Sequence, residues 1–315
     1  MPVHPDAPHV ILGVTAGLVT ALLSAVSYLI SRHHGVRSGG PIRLLVLAHT
    51  LMGLACVPAT AILWPVGLPL TRGWLVPLVG SAATYLLGQA LVFVALRHAD
   101  ASRVAPLLGL KIVMLAAITS WLPEGGLDIR QWVAVGLSVV AALVLQRGGG
   151  VAAAAVPSIV VACLSFAVSD LCIVGLIDGL QQAGAGAGVS IGRLHAGGLA
   201  MTTTYLACGG AAALMLTMPA LRPRSRAAWI GAGQYAVTWL LCMAALYVCL
   251  GLVGAVFGTI LQSTRGIMAI GIGAVLGHLG WHELETRVDR GTLVRRVAAA
   301  ALMTAAIAIY VIDLT

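Results

Sequence analysis

Residues 103–122 read RVAPLLGLKIVMLAAITSWL. Twenty residues of this kind are the length of a helix that crosses a bilayer. Near its middle stands Lys111, the single lysine of the chain. The other basic residues are arginines, and all but Arg265 fall at or near the ends of apolar stretches. A cation placed in hydrocarbon costs about 2.5–3.5 kcal/mol. The stretch therefore reads as a membrane span that retains a costly charge, and such a charge marks a candidate functional site.

The rest of the chain agrees. Of its 315 residues, 60% are hydrophobic and 9% charged, against roughly 25% charged in a soluble domain. Mean hydropathy is +1.01. Many long Ala/Leu/Val/Gly runs and few alternating segments point to an all-α integral membrane protein rather than a β-barrel. The net charge of +8 does not indicate nucleic acid as a partner, because the arginines flank apolar spans and read as topology signals. The six cysteines, Cys56, Cys163, Cys172, Cys208, Cys242 and Cys249, form no CxxC pair. They read as small core residues rather than disulfide or metal ligands. The first apolar run ends at Ile30, before Ser31 and Arg32, without a cleavage signature, so it reads as a retained span.

Ten segments are long and apolar enough to span: 9–31, 43–65, 74–97, 103–122, 131–147, 155–179, 198–219, 228–250, 253–280 and 291–312. The stretch 180–197, with its Ala/Gly alternation from Ala183 to Gly188, reads as a flexible linker. Thirteen arginines fall beside the connections after odd-numbered spans, against Arg72, Arg130 and Arg193 on the other side. That bias places the odd connections in the cytoplasm and both termini outside, in the cell (inner) membrane.

The chain also repeats. Ala25-Val-Ser-Tyr-Leu29 in the first span returns as Ala167-Val-Ser-Asp-Leu171 in the sixth. Sliding Leu91 onto Leu246 brings Lys111 within one residue of the counterpart of Arg265. Residues 1–150 and 151–315 thus read as two five-helix repeats of one membrane domain. Five is odd, so the second repeat is inverted, an arrangement typical of secondary transporters with a midplane site.

The stretch Val94-Ala-Leu-Arg-His-Ala-Asp-Ala-Ser-Arg-Val-Ala-Pro-Leu107 is similar to the "ALRYTSAS" turn of the drug/metabolite transporter superfamily, in particular its EamA-like members. Glu124, Gln131 and Gly136 resemble that family's "GE…T…Q…G" pattern, which the second half repeats loosely with Glu283 or Glu285. Lys111, His278 and His282 depart from it. The resemblance covers about residues 9–312. It implies a secondary carrier of small solutes, often an exporter, with a central cavity lined by the first four helices of each half.

Lys111 follows Pro106, which loosens the backbone ladder of its span. It reads either as a cavity cation for an anionic group or as a snorkelling or ion-paired lysine. Arg265 lies in Gln262-Ser-Thr-Arg-Gly266, the most polar patch inside a span; its guanidinium can fork onto a carboxylate or phosphate. Asp170, the one carboxylate well inside a span, reads as a proton-coupling group or as a structural partner of Lys111 or Arg265. Two cations and one anion would favour anionic or zwitterionic, amino-acid-like substrates. Gln262, Gln89, Gln234, Tyr28, Tyr85 and Trp239 are candidate cavity residues, and His49 is a candidate with a packing role as its alternative. No cofactor motif, phosphate loop or nucleophile–base set appears, so the chain does not read as an enzyme.

Two functions follow. The first is a transporter, which implies a small-molecule substrate, a surrounding lipid bilayer, protons as a coupling ion, and a pathway complete in one chain whether monomer or homodimer. The second is an intramembrane enzyme acting on a lipid or lipid-linked substrate, resting on His278, His282, Glu283 and Glu285. His278 and His282 are spaced i, i+4, but the glutamate follows the second histidine, unlike a metalloprotease helix.

Overall fold

A computed structural model describes residues 7–37, 40–95, 107–121, 126–146, 156–223, 225–278 and 290–312. Among these residues the chain is helical, with no strand. The helices are α1 (Ala7–Arg37), α2 (Pro41–Leu63), α3 (Arg72–Ala95), α4 (Leu110–Ser120), α5 (Ile129–Gln146), α6 (Val156–Gly186), α7 (Arg193–Met215), α8 (Arg226–Val253), α9 (Ala255–Ser263), α10 (Arg265–His278) and α11 (Arg290–Ile312). In lipid a helix satisfies its backbone polar groups internally. Hydroxyls inside the helices behave the same way: Thr20, Thr50 and Ser165, for example, donate to the carbonyls of Ala16, Val46 and Val161.

Six helices are long and apolar enough to cross a membrane: α1 over Ala7–Ser31, with α2, α3, α6, α7 and α8. Three others offer shorter apolar stretches, Leu110–Ser120, Ile129–Ala141 and Val297–Ile309, so the described residues show six clear spans where the sequence predicts ten. The six share the main hydrophobic core. A second core gathers Ile112 and Leu115 of α4, Ala134 and Val135 of α5, Phe257 and Ile260 of α9 and Ala306 of α11. Large apolar side chains such as Leu54, Val57 and Ile62 on α2, and Ile230, Val237 and Leu241 on α8, face outward, as lipid-facing surfaces do.

The most extensive pairings are α3 with α6, α1 with α8, α2 with α7, and α5 with α11. At the α2–α7 crossing a Cβ on Gly53 would lie 2.6 Å from the Gly209 Cα, and one on Gly209 would lie 2.4 Å from the Gly53 Cα. Only paired glycines allow this backbone approach. Between α1 and α8 the Cys242 thiol donates to the Thr20 carbonyl at 3.3 Å, and the Thr20 hydroxyl, whose hydrogen goes to Ala16, lies 3.4 Å from the Cys242 carbonyl. Ser169 of α6 donates to the Ser81 carbonyl of α3 at 3.2 Å.

Two sequence expectations change. Ala183–Gly186 is not a flexible linker but the last turn of α6. It closes with bonds from the Val189 amide to the Gly184 carbonyl (2.8 Å) and from Ala187 to Ala183 (3.2 Å). The backbone carbonyls at the helix end are thereby satisfied, which is what small residues permit at a terminus. The ninth span, 253–280, is not one helix. Gly254, at φ 80° and ψ 171°, occupies backbone space that is essentially glycine-only and separates α8 from α9. A second break at Thr264 separates α9 from α10, with short i→i+3 bonds from Thr264 to Leu261 and from Ile267 to Thr264.

Candidate functional site

The break at Thr264 falls inside the polar patch that the sequence singles out. It makes Arg265 the first residue of α10 and leaves Gln262 in the last turn of α9. Lys111 has a similar setting. The Lys111 amide bonds to the Leu108 carbonyl at 3.2 Å and the Ile112 amide to Gly109 at 3.0 Å, so a tightened turn precedes the second residue of α4. Each cation thus sits in the first turn of a helix, where the backbone adds partial positive charge. Pro106 lies outside the described residues.

Both cations face one cavity. It holds about 590 Å³ of space not filled by atoms, its mouth included, and its wall draws on α1, α3, α4, α6, α7, α8, α9 and α10. Lys111, Asp170, Arg265, Gln262, Gln89, Tyr28, Tyr85 and Trp239 all reach this wall. Most of the site residues expected from sequence are therefore neighbours in space.

The charges are arranged unequally. Lys111 and Asp170, 5% and 3% exposed, form a direct ion pair through Nζ and Oδ2. Thr259 of α9 donates to the same Oδ2 at 3.0 Å. Lys111 also donates to Gln262 Oε1 at 3.4 Å. A buried pair needs such extra bonds, because desolvation otherwise outweighs the Coulomb attraction. Arg265 has no carboxylate partner among the described residues. Its Cζ lies 5.9 Å from the centre of the Tyr28 ring, a cation–π contact, and its buried Nε makes no hydrogen bond.

Across the cavity is an aromatic and amide network. Trp239 Nε1 donates to the Tyr85 hydroxyl at 2.6 Å and to the Tyr205 hydroxyl at 3.1 Å. Gln89 Nε2 donates to the Tyr85 hydroxyl at 3.4 Å. His49 Nδ1 lies 2.8 Å from the Leu45 carbonyl, and its Nε2 lies 3.0 Å from the Tyr85 hydroxyl. A carbonyl only accepts, so Nδ1 carries the hydrogen. Tyr85 already accepts from Trp239 and Gln89, so its own hydrogen goes to Nε2. Every polar group of His49 is thereby used.

His49 accordingly stands behind Tyr85 rather than on the cavity wall, in the packing role that the sequence leaves open. Gln234 is a correction. It is exposed, on the outward face of α8 with Ile230, Val237 and Leu241. Trp239 lies five positions further along and so about 140° around the helix. Tyr205 and Tyr247 of the wall are missed by sequence reading. Tyr205 ends the polar run Thr202-Thr-Thr-Tyr205, a signal in the seventh span that could have found it, whereas Tyr247 sits among apolar residues. His282, Glu283 and Glu285, with Glu124, lie outside the described residues, and of His278 only the backbone is described. Among the described residues no group of three or more His, Cys, Asp or Glu could hold a metal ion.

Helical spans packed around a charge-bearing cavity define a multi-pass membrane protein. Residues 11–147 match the EamA-like transporter family. A solved crystal structure is similar over 96% of this chain and 96% of its own, with 16% identity and a TM-score of 0.66. That likeness concerns the fold alone. No curated protein matches the chain in sequence.

Proposed function

We infer that this protein is a secondary transporter of a small polar or amphipathic metabolite, anionic or zwitterionic and amino-acid-like, working in the export direction by alternating access around the cavity. The observation that carries this reading is the cavity itself: an aromatic-walled space between spans drawn from both halves of the chain, with Lys111, Asp170 and Arg265 on its wall. Sites of carriers built from repeats lie where the repeats meet.

The helix pairings support two related halves, 1–150 and 151–315, of one membrane domain with ten spanning segments. Let α9 and α10 together count as the ninth segment. Exchanging each segment with the one five places on turns the α3–α6 contact into α8–α1, and maps α2–α7 and α5–α11 onto themselves. The contacts of α6 with α4 correspond likewise to those of α1 with α9 and α10. With five segments per half, the second is inverted, both termini lie outside the cytoplasm, and the pathway is complete in one chain of an inner-membrane monomer or homodimer.

Of the roles open to Asp170, the structural partner fits better than a proton carrier, because Lys111 and Thr259 both hold Oδ2. The test is reconstitution. Purified protein in liposomes should release a loaded small carboxylate or zwitterion faster than protein-free liposomes, and Arg265→Ala should slow that release. Equal release from both kinds of liposome, across anionic, neutral and cationic solutes, would remove the transporter reading. A pH gradient that drives release would restore proton coupling to consideration.

A further inference from the structure

The buried Lys111 and the half-buried Arg265 differ in what they have left to offer, and so do the two glutamines. Lys111 is occupied by Asp170 and Gln262. Its bond to Gln262 fixes that amide: Oε1 faces the ammonium, and Nε2, buried and without a hydrogen bond, is left as a donor. Gln89 is fixed in the opposite sense. Its Nε2 is used by Tyr85, which leaves Oε1 as a buried acceptor without a partner. Gln262 and Gln89 are 7% and 1% exposed, and both reach the cavity wall. Buried polar atoms in native structures are nearly always paired, so an unmatched donor and an unmatched acceptor on one cavity wall specify what completes it.

We propose that the cavity takes a monoanionic carboxylate that also carries a hydrogen-bond donor on a flat apolar body: the carboxylate binds Arg265 and Gln262 Nε2, the donor binds Gln89 Oε1, and Lys111 with Asp170 positions these groups without contacting the ligand. Formal charge sets the anion's valence. Lys111 and Asp170 cancel, so Arg265 supplies one unmatched positive charge, met by a carboxylate and exceeded by a phosphate dianion. Its guanidinium forks onto two carboxylate oxygens. Tyr28, Tyr85 and Trp239 supply flat walls for the ligand body. This inference rests on the transporter reading for its biological meaning and on the cavity alone for its chemistry.

The test uses the full-length protein in detergent, with 4-aminobenzoate, benzoate, phenyl phosphate and aniline as probes and calorimetric titration as readout. The expected order of affinity is 4-aminobenzoate, then benzoate, then phenyl phosphate, with aniline last. Arg265→Gln should weaken 4-aminobenzoate about tenfold or more and abolish the preference over aniline. Gln89→Leu should weaken 4-aminobenzoate several-fold and leave benzoate unchanged, a split that general destabilisation does not produce. The double variant K111M/D170L frees the Gln262 amide and should weaken 4-aminobenzoate several-fold, while Arg265 keeps the preference for carboxylate over aniline. If it does not fold, Lys111→Arg, which retains the ion pair, should keep that preference.

Binding led by phenyl phosphate or aniline, Arg265→Gln that binds as the parent does, or loss of carboxylate preference in a folded K111M/D170L or Lys111→Arg protein would each overturn the assignment. So would the absence of any carboxylate binding. Liposome flux separates this from the broader reading. Flux of aniline without carboxylate binding sinks the carboxylate site and leaves a transporter. Binding of 4-aminobenzoate through Arg265 without flux of any probe leaves the site and sinks the transporter.

Discussion

Lys111 and Arg265 occupy matching settings and end in different states. Each stands in the first turn of a helix behind a tightened turn, and each faces the same cavity. Lys111 meets Asp170 across the α4–α6 contact and is neutralised there. Arg265 meets a tyrosine face and no carboxylate among the described residues. Two cations of similar placement are thus divided by one carboxylate. What a buried charge does depends less on its own chemistry than on whether a neighbour spends it.

The largest break in this comparison is Lys111→Met. It leaves Asp170 as an uncompensated buried carboxylate, which costs about 3–5 kcal/mol. Thermal unfolding in detergent, followed with a thiol-reactive dye, reports it, because five of the six free cysteines are buried. K111M/D170L should recover most of the loss, and a double variant no more stable than Lys111→Met would show that the pair is not a unit. Arg265→Met leaves no buried partner stranded and should cost clearly less than Lys111→Met; an equal loss would erase the distinction between the two cations. Thr259→Val removes one charge-assisted bond to Asp170 and should cost about 1.5–3 kcal/mol by the same assay. On the Arg265 side, Gly254→Ala forces a side chain into glycine-only backbone space and should cost about 1–3 kcal/mol. Gly109, before Lys111, has φ −62°, where alanine is at ease, so Gly109→Ala carries no such backbone penalty. The smallest effect belongs to Gln234→Ala, on the outward face of α8, expected within about 0.5 kcal/mol; a larger loss would return Gln234 to the cavity.

Much of the site was legible because its residues are expensive where they stand. Lys111, Asp170 and Arg265 are charges in apolar runs, and a chain does not keep such charges in hydrocarbon without partners or a task. Gln262 was legible as part of Arg265's polar patch. Tyr247 carries no comparable penalty, since a tyrosine among apolar residues is ordinary, and only the meeting of α8 with the other helices puts it on the wall. Gln234 misled for the converse reason. A glutamine in a span looks committed to the interior, but its side depends on how α8 is rotated against α1, and Tyr235 and Trp239 take the inward face. The break at Thr264 was equally hidden, because no proline marks it.

The sequence by itself determined that this is a helical membrane protein and which few residues bear its unusual charges, because composition and the cost of burying a cation act residue by residue. It also carried the resemblance to the EamA-like family that the match over residues 11–147 bears out. Only the tertiary structure decided that Asp170 belongs to Lys111 and not to Arg265, that His49 supports Tyr85 from behind, and that the ninth span breaks inside its polar patch. Those outcomes depend on distances of a few ångströms between helices far apart in the chain, and no local pattern of residues encodes them.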